Sequence, residues 1–351
     1  QFDSWLDNLR DNSITRQRFW GTPVPIWKCK KCDDYSVIGS VDELFRLSGK
    51  IPKNLHIPWI DKITMLCKCG GTKKRVPDIL DVWIDAGTTS WNCLDYPHKK
   101  DLFKRLWPAD FILEGKDQIR GWFNLLFVAS MIGMDKPSYK AVYMHGFIQD
   151  AQGRKMSKSL GNYILPEEVI SKFGADAFRY YSIGGANPGL DLNYNMEDTK
   201  LKHKNIGVLW NVHNYIIQLS REIKKKPSEL DERLIKNMLG VEDRYMLSRL
   251  NSSIKEETSF FEKYAINEVP WVVERLFLDL SRTYIQLIRD KISANEEKEV
   301  VLYVLYRCII TILKLLAPIA PFVSEKIYQN LKEEFRLKEE SIHLFDWPKE
   351  N

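Results

Sequence analysis

The chain has 351 residues, of which 28% are charged and 44% hydrophobic, with a formal net charge of +5. That length accommodates two domains with separate cores, and the balance is that of a globular protein. The mild positive charge permits a polyanionic partner without requiring one.

The chain opens on Gln1 rather than Met, in a polar stretch with no signal peptide. The reading is a piece of a longer cytoplasmic chain. Residues 1–80 are expected to be irregular, with Pro, Gly and two cysteine pairs, Cys29-x-x-Cys32 and Cys67-x-Cys69. With no sign of secretion, paired cysteines point to a metal before a disulfide. Four thiolates bind Zn²⁺ tetrahedrally in closed structural sites, and such a site supplies on the order of 10 kcal/mol of folding free energy. Gly70-Gly71 behind Cys69 lets backbone approach the metal. Cys93 and Cys308 stand alone and are expected to pack.

From Asp81 to about Gly185 short apolar runs alternate with amphipathic helices, which predicts α/β layers. Residues 110–113 read as a buried strand. A helix follows, opened by Asp117 as N-cap, with Ile119, Trp122, Phe123, Leu126 and Ser130 on one face. Residues 141–144 read as the next strand, and 150–153 as a turn. Pro166, Glu167 and Glu168 start another helix, which Gly174 ends. Beyond about Lys200 the spacing predicts helices over 201–222, 241–264, 267–291, 297–317 and 321–334, an antiparallel bundle with an exposed connection at Lys224-Lys225-Lys226-Pro227. The longest apolar run, 300–317, contains Arg307 and Lys314, which makes it a buried bundle helix rather than a membrane span.

The segment His145-Gly146-Phe147-Ile148-Gln149-Asp150-Ala151-Gln152-Gly153-Arg154-Lys155-Met156-Ser157-Lys158-Ser159-Leu160-Gly161-Asn162 places small residues and three cations in a loop after a strand. Hydroxyls and loop amides can donate to a polyphosphate while lysines supply point charge. A solvated basic loop would read the same way. The stretch Lys155 to Ser159 resembles, complete, the KMSKS signature of class I aminoacyl-tRNA synthetases. The flanking His-Gly-Phe and Gly-Arg resemble the isoleucine, valine and leucine subgroup. Residues 13–21, Ser-Ile-Thr-Arg-Gln-Arg-Phe-Trp-Gly, are similar to a segment of that subgroup. Residues 77–87 and 113–123 resemble the isoleucyl members, apart from Ala86, where the family pattern has Ser. Residues 244–251, 280–285, 315–322 and 343–348 resemble the anticodon-binding bundle.

The resemblance implies an architecture of α/β plus all-α. Residues 1–80 would be a zinc-bearing connective segment. Residues 81–200 would be the second half of a Rossmann-type catalytic domain, and 201–351 a helical anticodon-binding domain. It implies activation of isoleucine by ATP, with Mg²⁺, to isoleucyl-adenylate, then transfer to tRNA(Ile). Lys155 and Lys158 would stabilise charge on the departing pyrophosphate. His145, Gly146, Met156, Ser157 and Ser159 would border the nucleotide. Glu114, Gly115, Asp117 and Gln118 would contact the adenylate, and Trp83 and Trp122 would wall the amino-acid pocket, although core packing accounts for either tryptophan as well. Cys29, Cys32, Cys67 and Cys69 would hold structural zinc. Lys200, Lys202, Lys204 and Arg221 would face the tRNA backbone, where a solvated face is an equal reading. The family's His-Ile-Gly-His element and its N-terminal half are not in this sequence, which predicts a fragment of weak activity by itself. A valyl enzyme and a non-catalytic tRNA-binding module are the rival readings.

Overall fold

A computed structural model describes residues 7, 8, 13–293 and 297–350, so most of the polar opening stretch lies outside the described residues. The chain forms two compact units that divide between Tyr143 and Met144.

The first unit is less irregular at its start than the sequence suggests. Strands β2 (Ile26–Cys29), β3 (Tyr35–Val37), β4 (Thr64–Leu66) and β5 (Thr72–Arg75) form an antiparallel sheet in the order β3-β2-β5-β4. Its small core gathers Trp27, Ile38, Leu44, Ile57, Ile60, Ile63, Met65 and Ile79. The Trp27 indole N–H donates to the Ile63 carbonyl at 2.9 Å, so the largest buried ring leaves no polar atom orphaned. A second antiparallel pair, β1 (Thr15–Arg16) with β6 (Ile79–Leu80), leads into helix Val82–Asn92. Asp81 caps that helix through the Trp83 N–H (2.8 Å) and pairs with Arg16. The helix packs on helix Trp122–Met134. Strand β7 (Ile112–Gly115) runs beside the start of β8 (Val142–His145), the strand in which the units divide. Ile112 N–H donates to the Ala141 carbonyl at 3.0 Å, and a parallel bridge joins Ala109 to Tyr139. Strand, helix and parallel strand make a βαβ unit.

Two expectations fail here. Residues 110–113 are not a buried strand: the strand is 112–115, and Leu113 is 47% exposed. The sheet has two strands among the described residues. Asp117 is not an N-cap either. It lies in a 3₁₀ turn, Lys116–Arg120, and the α-helix starts only at Trp122. Ile119 therefore sits ahead of the helix and is 51% exposed, while Phe123, Leu126 and Ser130 are buried as expected.

The second unit carries β9 (Ile148–Gln149) parallel to β10 (Leu192–Asn193), then helices Pro166–Phe173 and Ala175–Gly184. A helical bundle follows, built from Met196–Ile223, Val241–Glu262, Val269–Asp279, Lys298–Leu316 and Pro321–Phe335. The expected helix 267–291 is interrupted: a π-helical stretch Leu280–Tyr284 follows Val269–Asp279, and short turns carry it on. Tyr284 donates to Asp243 at 2.7 Å there, a buried side-chain bond that periodicity cannot anticipate. The apolar run is helix Lys298–Leu316, at the centre of the largest core cluster, and no described helix is long and apolar enough to cross a membrane. Arg307 reaches the Tyr303 hydroxyl (2.9 Å) and the Lys314 ammonium lies over the Phe345 ring, so both cations in the run find partners within the fold.

Of the basic residues expected to face a nucleic-acid backbone, Lys202 is buried. Its ammonium sits 2.7 Å from Glu274, whose other oxygen accepts from Asn205 at 2.7 Å. Arg221 is held bidentately by Glu334, and Lys200 pairs with Glu197 at 3.0 Å. Helix periodicity shows which residues share a face, not which face meets a carboxylate. Removing one member of a buried pair leaves an uncompensated charge and costs about 3–5 kcal/mol. Urea unfolding of Lys202→Met should show a loss on that scale, largely recovered in Lys202→Met/Glu274→Leu; a single variant as mild as a surface substitution would refute the pairing.

Candidate functional site

Three groups of predicted residues take shape, two in the first unit and one in the second. The first is the cysteine cluster. Turns after β2 and β4 bring Cys29, Cys32, Cys67 and Cys69 together, with all four sulfurs within 4.8 Å of one another. Cys29 Sγ lies 3.6 Å from Cys69 Sγ, and Cys32 Sγ 3.6 Å from Cys67 Sγ. The edge of a tetrahedron of sulfurs about 2.3 Å from a central ion is about 3.8 Å, so the spacing fits one metal ion. The Lys31 amide donates to Cys29 at 3.4 Å and, as the leading cause, draws that thiol down to about 7. A Cβ on Gly71 would come within 2.9 Å of Cys29 Sγ, which gives that glycine a spatial reason beside the cluster. Of the lone cysteines, Cys308 is buried as expected, and burial pushes its thiol up to about 12. Cys93 is exposed at the end of helix Val82–Asn92 and is not a packing residue.

The second group lies where β7 meets helix Trp122–Met134. Gln118 folds back so that its Oε1 accepts the Trp122 N–H at 3.0 Å, while its Nε2 donates to Asp117 at 2.8 Å. Gln118, not Asp117, thus supplies the side chain at the helix start. The Trp122 indole N–H donates to the Ala86 carbonyl at 3.2 Å, which fixes one ring against the neighbouring helix. Trp83 is 42% exposed, and its ring edge comes within 3.2 Å of where a Cβ on Gly121 would stand. Trp83, Gln118 and Trp122 therefore converge around Gly121, and neither tryptophan is a fully buried packing residue. Glu114 and Asp117 are exposed and Gly115 is buried.

The third group is the loop after β9. Gly146 is buried with its backbone against Leu190: a Cβ there would meet the Leu190 carbonyl oxygen at 2.1 Å, so only glycine fits. His145 is exposed, its Nδ1 2.7 Å from the Gly146 carbonyl oxygen. Asp191 accepts from the Phe147 amide (2.7 Å) and the Gln149 side chain (3.2 Å), which fixes β9. Beyond it, Asp150 is buried and its carboxylate takes four donors: the Gln152 amide (3.0 Å), the Arg154 amide (2.8 Å), Arg154 Nε (2.8 Å) and Asn162 Nδ2 (3.0 Å). Of the three cations in the loop, Arg154 is therefore the one paired with a carboxylate, although its side chain stays 66% exposed. Lys155 and Lys158 are exposed and make no ion pair among the described residues. Ser157 is half-buried, with its hydroxyl 3.2 Å from that of exposed Ser159. Met156 turns toward a mainly apolar cavity of about 470 Å³ lined by Phe147, Ile148, Tyr163, Val169, Phe178 and Tyr194.

Sequence reading missed Asp150, Asn162 and Asp191 as site residues, whereas Gly71 was already singled out beside the cysteines. The first two were visible as the residues bounding the signature, but only the fold turns their side chains onto it. The Asn162 amide, with the Arg154 contacts, holds the Asp150 carboxyl down to about 2, below its ordinary value of 3.8. A depressed carboxyl stabilises the loop above the unfolded-state value and loses that contribution as pH falls through the folded value. The Asp150 side-chain carbonyl resonance should therefore titrate near 2, and the loop should keep its amide protection at pH 4; a midpoint near 4 would count against this geometry.

Comparison with known proteins divides the chain at a later point than the two compact units do. The family described as tRNA synthetases class I (I, L, M and V) matches residues 1–195, and the anticodon-binding domain of tRNA ligase matches 243–351. The isoleucine–tRNA ligase of Methanosarcina mazei is 43% identical over 359 aligned residues, covering 100% of this chain and 34% of the relative. That of Archaeoglobus fulgidus is 42% identical over 355, covering 99% and 34%. The chain thus spans about a third of the length of the curated relatives it matches. Among solved structures, the Agrobacterium radiobacter K84 agnB2 LeuRS–tRNA–LeuAMS ternary complex superposes with a TM-score of 0.69 at 24% identity, over 97% of this chain and 42% of that one. Mycobacterium tuberculosis methionyl-tRNA synthetase in complex with methionyl-adenylate gives 0.65 at 20%, over 93% and 55%. These two likenesses concern the fold alone.

Proposed function

Because the chain belongs to the class I tRNA synthetases of the isoleucine, leucine, methionine and valine group, we propose that it supplies part of an isoleucine–tRNA ligase. The observation that carries the reaction class is the pair of open ammonium groups, Lys155 and Lys158, on a loop whose third cation is paired with Asp150. In the proposed reaction the isoleucine carboxylate attacks the α-phosphate of ATP, whose phosphates arrive with Mg²⁺. The α–β phosphoanhydride bond breaks, and pyrophosphate carries away the negative charge. Lys158, and then Lys155, stabilise that charge, with the Ser157 and Ser159 hydroxyls and Met156 bordering the nucleotide and His145-Gly146 at the end of the preceding strand.

In the first unit, Trp83 and Trp122 form an apolar wall suited to a branched alkyl chain. Gln118, Asp117, Glu114 and Gly115 offer acceptors and backbone to the adenylate. The βαβ element supports reading residues 81–200 as the second half of a Rossmann-type catalytic domain, and residues 201–351 as the anticodon-binding domain for tRNA(Ile). Selection of isoleucine over valine by such a wall is worth about 1–3 kcal/mol, and isoleucyl-tRNA synthetase is the standing example of that limit.

We assign the four cysteines to a structural Zn²⁺. Sulfur spacing, the closed four-thiol donor set and the small core of the first sheet support it. The ion would tie together the turns behind β2 and β4. Metal analysis should find about one zinc per chain. Cys67→Ser or chelation should remove it and unfold the sheet around Trp27, read as a red shift in tryptophan emission; a sheet indifferent to both would refute the assignment.

Isoleucine-dependent exchange of pyrophosphate into ATP tests the activity. A full-length synthetase carrying this sequence should exchange with isoleucine and lose on the order of 100-fold in rate on Lys158→Ala. Tighter use of valine would overturn the substrate. Residues 1–351 alone should exchange poorly, because no His-Ile-Gly-His element is among them.

A further inference from the structure

We propose that Asp150 and Asn162 are positioning residues for the signature loop, and that their side-chain contact sets where the two lysines stand. The inference rests on the proposed reaction for its catalytic meaning and on geometry alone for the clamp.

Four donors converge on the buried Asp150 carboxylate, three of them from Gln152 and Arg154 in the turn it begins. The fourth comes from Asn162, at the far end of the loop. The backbone closes the same turn: the Gly153 amide donates to the Asp150 carbonyl at 2.9 Å, and the Asp150 amide to the Arg154 carbonyl at 3.0 Å. Asn162 then carries the fixed point to the signature itself. Its Oδ1 accepts the Ser157 amide at 2.9 Å, and its Nδ2 also donates to the Lys155 carbonyl at 3.2 Å. One side-chain amide therefore holds the backbone on both sides of Met156. The link extends to Lys158, because the Ser157 hydroxyl accepts the Leu160 amide at 3.3 Å and caps the turn that Lys158 begins. Neither lysine ammonium has an anchor of its own among the described residues, so backbone placement is what aims them.

The chemistry at the clamp demands a carboxylate. Its Oδ2 faces two donors at once, Arg154 Nε and Asn162 Nδ2, and Oδ1 faces two amides. An Asn at 150 would turn an NH₂ against one of these donor pairs and remove the negative charge that neutralises Arg154 beside Lys155. Asn162 must both donate and accept, which Asp or Leu of similar size cannot do.

The test uses Asp150→Asn and Asn162→Leu, with Glu256→Gln, in the bundle helix Val241–Glu262 where it pairs with Arg275, as comparison. Amide hydrogen exchange on the 351-residue chain should speed up by about tenfold or more at residues 152–160 in both clamp variants, with the helical bundle unchanged. In the full-length synthetase the same variants should lower the kcat of pyrophosphate exchange on the order of 100-fold and leave the KM for isoleucine unaltered, because the tryptophan wall is untouched. Unchanged loop exchange would overturn the clamp. A loosened loop with full kcat, or a loss shared equally by kcat and the isoleucine KM, would overturn the positioning role. Absence of isoleucine-dependent exchange in the unaltered enzyme would instead overturn the functional reading, and with it the catalytic role. The amide-exchange result would still decide the clamp.

Discussion

Two neighbouring tyrosines on one short helix join the two cores of the second unit. In Ala175–Gly184, Tyr180 is fully buried in the bundle core and donates to the Pro270 carbonyl at 2.6 Å. Tyr181 points the other way, into the small cluster of Val169, Leu192 and Tyr194 against which Met156 of the signature loop packs. The helix is fixed from the bundle side as well. Asp176 accepts the Phe322 and Val323 amides at the start of Pro321–Phe335, and Arg179 donates to the Pro318 and Ile319 carbonyls. Within this unit the signature loop is therefore attached to a rigid body, and any ordering of the loop has something firm to act against.

Charge in the second unit is sorted by the same packing. Lys202, Arg221, Lys291 and Arg154 are all neutralised by carboxylates of the fold. Lys155 and Lys158 have no carboxylate partner among the described residues. A residual positive charge placed on a loop pinned by hydrogen bonds is the arrangement that electrostatic stabilisation of a leaving polyphosphate requires, because little reorganisation is left to do when the charge develops. The mild net charge of the whole chain says little about this; the distribution carries it.

The first unit solves a different problem. Its leading sheet buries only a handful of large side chains, too few to order some fifty residues of turn-rich chain by apolar burial alone. The proposed zinc would offset that shortage by linking two turns far apart in sequence. The Lys31 amide already favours the thiolate at Cys29 that such a bond needs. The same unit displays Trp83, Gln118 and Trp122 around Gly121, with Gln118 Oε1 occupied at the helix start and the Trp122 indole N–H on the neighbouring helix.

Much was written in the residues themselves. The cysteine spacing foretold a four-sulfur cluster, Pro166 and Gly174 the ends of a helix, and the Val300–Ala317 run a buried one, because each rests on local chemistry or on period alone; the family came from the resemblance of the Lys155–Ser159 stretch to a known signature. Other features depended on which surfaces meet. Periodicity put Ile119 on a helix face, but the chain needed a 3₁₀ turn first so that Gln118 could reach the Trp122 amide. Lys202 read as a surface cation until Glu274 took it into the core, and Arg221, though it stays at the surface, is engaged by Glu334, both carboxylates lying on helices distant in sequence. Asp150 read only as the start of a turn and Asn162 only as the last residue of the loop segment, since the contact between them exists only once the loop has closed. Local pattern fixes what a side chain can do; the partner that arrives from elsewhere in the chain decides what it does.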